Sequence, residues 1–294
     1  MPTPDPLELT EDDSLDPIRH PGDVRFVGSI RAGRVVEVGG HLTVDGDVAA
    51  ARFTVGRSMS VTGVVRDGRA CLASGDLRCG AIVGTIVVVR GDVRVQQEIR
   101  ESRVTCAGQI DAPDAVIVGS EIAATGGVAC RTLGDAQGTP TEVEAGVGRM
   151  QQLLETSIAK QIDERRQRED VMRASIEPLL ANLKALTPAQ REKTTEMLFQ
   201  ADTLAEETAK LVTALERRRL RTLEQARPRV AVTGRVHPGV IVRLDAMTWV
   251  AGATVDGPLS VTSRKTDGVT EIVRVDTADG AARVLPTRPA TLAA

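Results

Sequence analysis

The residues of this 294-residue chain that could do chemistry are few, and their spacing does not suit it. The three histidines, His20, His41 and His237, have no serine, cysteine or metal-ligand partner at the spacing of a catalytic triad or a zinc site. His237 precedes Pro238-Gly239 and reads as a turn residue rather than a base. Cys71, Cys79, Cys106 and Cys130 lie 8, 27 and 24 residues apart with no Cys-x-x-Cys pair, so each reads as a small buried hydrophobe rather than a zinc ligand or disulfide partner. The acidic corners Asp45-Gly46-Asp47, Gly75-Asp76 and Gly91-Asp92 raise the question of calcium. Their glycines are 29 and 16 residues apart, whereas calcium-binding nonapeptide coils repeat aspartate every nine, so these acids are expected to be solvated turn residues. No G-x-x-x-x-G-K-[ST] phosphate loop occurs.

The densest positive run is Arg217-Arg218-Arg219-Leu220-Arg221, inside a segment, 146–227, that holds 15 bases and 13 acids. Without aromatic stacking partners it does not suit nucleic acid. It reads first as a solvated helix face paired to acids such as Glu216 and Glu224. Arg217, Arg218, Arg219 and Arg221 are the candidates for contact with a protein partner. No catalytic residue, cofactor or metal ligand is expected, which leaves a structural or docking role.

Composition limits the core. The chain is 41% hydrophobic but has one Trp, three Phe and no Tyr, so its interior must be built from Val, Ile, Leu, Ala and Gly, which suits a narrow, regular core. The net charge is −3, and residues 1–22 alone carry six acids against one base. That balance gives no general attraction to nucleic acid or an anionic membrane. The leader 1–22 is expected to be disordered, having too little apolar surface to offset its ordering entropy. No basic segment followed by an apolar run opens the chain, and no stretch approaches ~18 apolar residues, so a cytoplasmic protein without a membrane span is expected.

The elements that position these residues follow from periodicity. Residues 23–145 alternate apolar and other residues in runs of three to five, as in Val36/Val38, Phe53/Val55 and Val93/Val95, the period of strands. Val44-x-Gly46-x-Val48 returns as Val61-x-Gly63-x-Val65. The glycines Gly28, Gly46, Gly63, Gly80, Gly91 and Gly108 are 18, 17, 17, 11 and 17 apart. A period near 17 with three short strands is that of a β-solenoid. At its corners the chain would turn sharply, often with positive φ and with no room for a Cβ, hence glycine, and the interval of 11 would mark a shift to another face or an irregular coil. About seven coils would fit in 23–145. The 17-residue beat breaks the strict six-residue beat of left-handed helices, so a right-handed parallel β-helix is expected.

Residues 146–227 have helical spacing, with Ile158, Ile162, Met172, Ile176, Leu179 or Leu180 and Leu183 on one stripe and Met197, Leu204, Leu211 and Leu215 on another. Between them Thr187, Pro188 and Gln190 form a capping box, which makes the segment an antiparallel coiled-coil hairpin extending about 60 Å beyond the solenoid. Pro178 should kink the first helix or end it near Glu177, and the wholly polar stretch 163–170 should hold the pair loosely. Residues 228–276 return to Val and Gly and are expected to add coils and close on a hairpin at Asp267-Gly268. Residues 277–294 are expected to be an unstructured tail. The fold class is thus mainly β with an α insert.

The segments "GDVRFVGSI", "LTVDGDV", "VRGDVRV" and "LGDAQGTPTEVEAGVG", followed by a helical hairpin and "GRVHPGVIVRL", resemble the flagellar assembly protein A family over about residues 22–275. The resemblance implies a right-handed β-helix interrupted by a helical hairpin. It also implies a bacterial protein linked to flagellar assembly or its polar regulation, similar in its repeats to the polymer-forming bactofilins. In that family the β-helix follows an α/β domain, in whose place the acidic leader stands here. The expected function is a non-enzymatic scaffold that self-associates or docks protein partners. The alternative is a β-helix polysaccharide lyase or hydrolase, disfavoured by the scarcity of aromatics and by Lys265 being the one lysine outside the hairpin.

Overall fold

The computed structural model describes residues 6–11, 17–68, 70–147, 149–181, 187–225, 229–245, 247–266, 269–277 and 280–289. They divide into a β unit, residues 1–148 and 225–294, and a helical unit, 149–224. Strand β1 (Leu7–Thr10) and β2 (Ile18–His20) begin the β unit. Seven coils follow between residues 24 and 145: β3 (Val24–Val27) and β4 (Val35–Val38); β5 (Leu42–Val44), β6 (Val48–Ala49) and β7 (Arg52–Val55); β8 (Met59–Val61), β9 (Val64–Arg66) and β10 (Ala70–Ala73); β11 (Leu77–Val83) and β12 (Ile86–Val89); β13 (Val93–Arg100) and β14 (Arg103–Cys106); β15 (Ile110–Val118) and β16 (Glu121–Ala124); β17 (Val128–Leu133) and β18 (Glu142–Ala145). After the helices, β19 (Arg229–Val236) pairs in parallel with β17, and β20 (Ile241–Leu244) with β18.

The chain is therefore a parallel β-solenoid. Its first sheet runs β1-β3-β5-β8-β11-β13-β15-β17-β19 and its second β2-β4-β7-β10-β12-β14-β16-β18-β20. Alternation sets the inside, as in β3, where Val24 and Phe26 are buried and Arg25 and Val27 are exposed. The short strands β6 and β9 give the early coils a third straight run, which β11 and β13 absorb through a register shift after Cys79 and Arg94.

At the six glycines the expected crowding against a Cβ is found, whereas recurrent positive φ is not. Among the six, only Gly28 has positive φ, at 103°. What demands glycine at Gly46 is the coil beneath it, because a Cβ there would lie 2.6 Å from the Gly28 carbonyl oxygen. Gly63 and Gly80 continue the same ladder. Gly91 and Gly108 belong to a different corner, where a Cβ would meet the carbonyl oxygens of Gly75 at 2.8 Å and Gly91 at 2.7 Å. The interval of 11 is thus the step from one corner ladder to another, the first of the two alternatives expected, and a register shift between Cys79 and Ala81 accompanies it.

Positive φ instead recurs at a third corner, at Gly33, Ala50, Asp67, Gly84, Glu101 and Gly119, positions 17, 17, 17, 17 and 18 apart. This is the most regular beat in the chain, and half of its members are not glycine. Beside it stands a column of buried hydroxyls. The Gly68 amide donates to Thr85 Oγ1, the Thr85 amide to Ser102 Oγ, the Ser102 amide to Ser120 Oγ and the Gly119 amide to Thr141 Oγ1, at 3.0–3.2 Å.

The corner acids are not simply solvated, as had been expected. Asp47 Oδ1 accepts the Val64 amide (2.9 Å), Asp76 Oδ1 the Asp92 amide (3.0 Å) and Asp92 Oδ1 the Gln109 amide (2.9 Å), so each carboxylate joins its coil to the next. In the segment Leu133–Val143, Asp135 accepts both the amide and the hydroxyl of Thr139, and these bonds hold its carboxyl below the usual range. The motif most characteristic of the resemblance is thus a folded loop, with Gly134 and Gly138 both at φ 74°.

The leader and tail also differ from expectation. β1 pairs with β3 and β2 with β4, burying Leu9 and Ile18, and Glu11 Oε1 accepts the Ser29 amide. Two or three well-placed apolar residues suffice there because the first coil offers a ready strand edge. At the other end β21 (Met247–Val250) turns antiparallel on β20, β22 (Val255–Asp256) and β23 (Leu259–Thr266) on β19, and β24 (Val269–Asp276) on β23. Reversing direction stops the coiling. The tail then adds β25 (Ala282–Val284) on β24 and β26 (Thr287–Pro289) on β21, with Leu285 against the core. The turn Asp267-Gly268 lies outside the described residues.

In the helical unit α1 (Arg149–Ala181) and α2 (Pro188–Gln225) run antiparallel, as the ion pairs Arg165–Glu207, Arg173–Asp202 and Glu155–Arg219 show by their opposed numbering. Thr187 caps α2, with its amide donating to Gln190 Oε1 (2.9 Å) and its Oγ1 accepting the Gln190 amide (3.3 Å). Burial along α2 recurs at Thr194, Ala201 and Thr208, seven residues apart, with half-buried Met197 and Leu204 between them and Leu211 and Leu215 beyond. The buried hydroxyls bond back to the carbonyls of Gln190 and Leu204, which is why threonine is tolerated there. Of the two alternatives expected at Pro178, an end near Glu177 is not found, since α1 continues to Ala181. Pro178 sits three residues from its end, so only the last turn must accommodate the missing donor. The polar stretch 163–170 lies in the same seam, where Arg165 reaches Glu207 and Glu169 meets Arg173.

Candidate functional site

The sequence-derived candidates are structural where the structure describes them. Of the corner glycines, Gly46, Gly63, Gly80, Gly91 and Gly108 lie against the backbone of the preceding coil and Gly28 against the Glu11 side chain, and Thr187, Pro188 and Gln190 cap a helix. Of the arginine run, Arg217 and Arg219 are exposed; Arg219 faces Glu155 at 4.0 Å, not the acids of its own helix. The side chains of Arg218 and Arg221 lie outside the described residues.

The cysteines take aliphatic places in the core columns. Cys71 stacks between Phe53 and Val87, Cys106 between Val89 and Ala124, and Cys130 between Ala112 and Val232. All four are free and buried. Burial pushes the Cys71 and Cys106 thiols up to about 12, and raises Cys79 and Cys130 as well. In the native chain none should react with a thiol-specific disulfide reagent at pH 8 within minutes, while all four react in denaturant. One fast native thiol would contradict this packing.

A groove of about 760 Å³ lies on the first sheet. Its floor carries Ser60, Arg78 and Arg94, and its wall is Gln96, Pro113 and Asp114, where later coils put side chains in place of the corner glycines. Asp111 is engaged with Arg94 at 3.7 Å. No aromatic side chain lines it. Among the described residues no three His, Cys, Asp or Glu side chains gather as metal ligands would, and no helix is long and apolar enough to cross a membrane.

The helical unit offers contact surface of another kind, which the sequence reading missed. Phe199 is 72% exposed, whereas Phe26 and Phe53 are in the core. On the same pair Leu180 is exposed beside a groove of about 460 Å³ lined by Ile176, Leu198 and the flanking Asp170, Arg173 and Glu177. The available signal was Phe199 standing outside the heptad positions of α2.

The family model for the flagellar assembly protein A β-solenoid domain matches residues 17–263. No curated protein and no solved structure matches the chain. That match spans both flanks of the helical insert and all the parallel coils from β2 onward. The chain belongs to the flagellar assembly protein A family.

Proposed function

We propose that the protein is a non-catalytic bacterial scaffold, acting in the cytoplasm, whose solenoid displays the helical pair to a protein partner in flagellar assembly or its polar regulation, and which self-associates. The observation that supports this most is the exposed Phe199, which with Val171, Leu180 and Leu220 puts large apolar side chains on the outside of the helical pair, an insert between strands that pair as successive coils. Exposed aromatics on a charged surface are the side chains that interfaces favour. The test is partner capture by in-cell cross-linking in a motile host. Phe199→Ser should lower the yield of the cross-linked flagellar protein at least tenfold while leaving the melting temperature unchanged. Undiminished capture would sink the proposal.

The enzyme alternative draws on the first-sheet groove, which holds two carboxylates, Asp111 and Asp114. Against it stand the Arg94 contact to Asp111 and the lack of an aromatic platform. Incubation with acidic polysaccharides is expected to give no unsaturated or reducing-end product.

A further inference from the structure

The second sheet turns a flat row of side chains outward, and its middle is apolar. Leu72 on β10 and Val88 on β12 are register partners, exposed at 42% and 41%, and Ile86 beside them is exposed at 45%. Three aliphatic side chains exposed side by side on two adjacent central strands form a patch, unlike scattered surface hydrophobes. On one side of the β10/β12 pair lie β7, β4 and β2; on the other lie β14, β16 and β18. The patch is thus centred among these eight strands, and β20, β21 and β26 continue the sheet beyond β18.

We propose that this face is a dimer interface that takes a second copy of the chain, related by a two-fold axis running between β10 and β12 parallel to the strands. The axis stacks β10 on β12 of the second copy, β7 on β14, β4 on β16 and β2 on β18. Leu72 then meets Val88, Thr54 meets Thr105, and Arg19, already paired with Glu37 at 2.9 Å, comes opposite Glu144, so the outward column matches its own reverse except where Glu37 comes opposite Ala123. In the neighbouring column Arg52 lands beside Arg103, whose charge Glu121 already offsets through a 2.7 Å ion pair. Eight strands at ~4.8 Å and about 13 Å of each strand give roughly 500 Å² per copy. That is close to the lower bound for a specific interface, so a micromolar dimer is expected.

This gives the self-association in the preceding reading a surface, while capture through Phe199 stands or falls separately. The test is sedimentation of the full chain, with cross-linking by a bismaleimide of about 10 Å, the face-to-face spacing of stacked sheets. The chain should dimerise at tens of micromolar, and Val88→Arg should weaken the dimer at least tenfold. Thr54→Cys mixed with Thr105→Cys should cross-link, and neither variant alone should, because like positions would be offset by three strands. A monomer at every concentration overturns both this proposal and the self-association. A dimer unaffected by Val88→Arg, or cross-linked no better in the mixture than in the single variants, overturns this face alone.

Discussion

Gly46→Ala should lower stability by about 2–3 kcal/mol, the range for overpacking a filled interior. The new Cβ would stand 2.6 Å from the Gly28 carbonyl oxygen and 2.7 Å from its carbonyl carbon, neither of which can move without shifting a coil. Two other glycines separate the possible reasons for that cost. Gly33 has open space around its missing Cβ but φ at 87°, so Gly33→Ala should cost about 1 kcal/mol, from the left-handed backbone alone. Gly252 has neither constraint, and Gly252→Ala should be neutral or slightly stabilising. Denaturant midpoints of the three variants check the order. If Gly33→Ala proved the worst, conformational freedom rather than coil-to-coil approach would govern the corners.

Ser102→Ala should cost about 1–3 kcal/mol, because it leaves a buried amide without its acceptor. Ser102 is 4% exposed, accepts the Thr85 amide at 3.1 Å, and donates to the Arg100 carbonyl at 2.6 Å. The column already uses threonine at Thr85 and Thr141, so Ser102→Thr should retain most of the stability. Equal midpoints for Ser102→Ala and the parent chain would show that the amide finds another partner and that the hydroxyl column is incidental.

The strands, the coil length near 17 and the helical insert were legible because burial alternates on strands and recurs by heptads on helices. The corner chemistry was less so. Ala50, Asp67 and Glu101 carry positive φ without the glycine that usually marks it, so the most regular beat of the fold was hidden behind unremarkable residues. Asp47, Asp76 and Asp92 sat in motifs that sequence alone assigns to solvent, because their acceptors' partners lie one coil away. Leu9 and Ile18 were discounted within an acidic leader, since composition does not reveal that a strand edge awaits them. The contact surfaces were the least visible. Leu72, Ile86 and Val88 look like ordinary strand residues until the register places them together on the outer face.

The account depends on the strands before and after the helices being successive coils of one stack. From the end of β16 to the start of β17 the chain takes residues 125–127, and the helices stand where the next such connection would run, between β18 and β19. Thermal melting followed by circular dichroism on a chain whose residues 149–224 are replaced by a short Gly/Ser linker tests this most directly. The account predicts a strand spectrum with the helical bands removed and a transition within about 5 °C of the full chain, since the β unit has its own core. An unfolded or aggregated product, or a transition lowered by tens of degrees, would show that the coils need the helices and would contradict it.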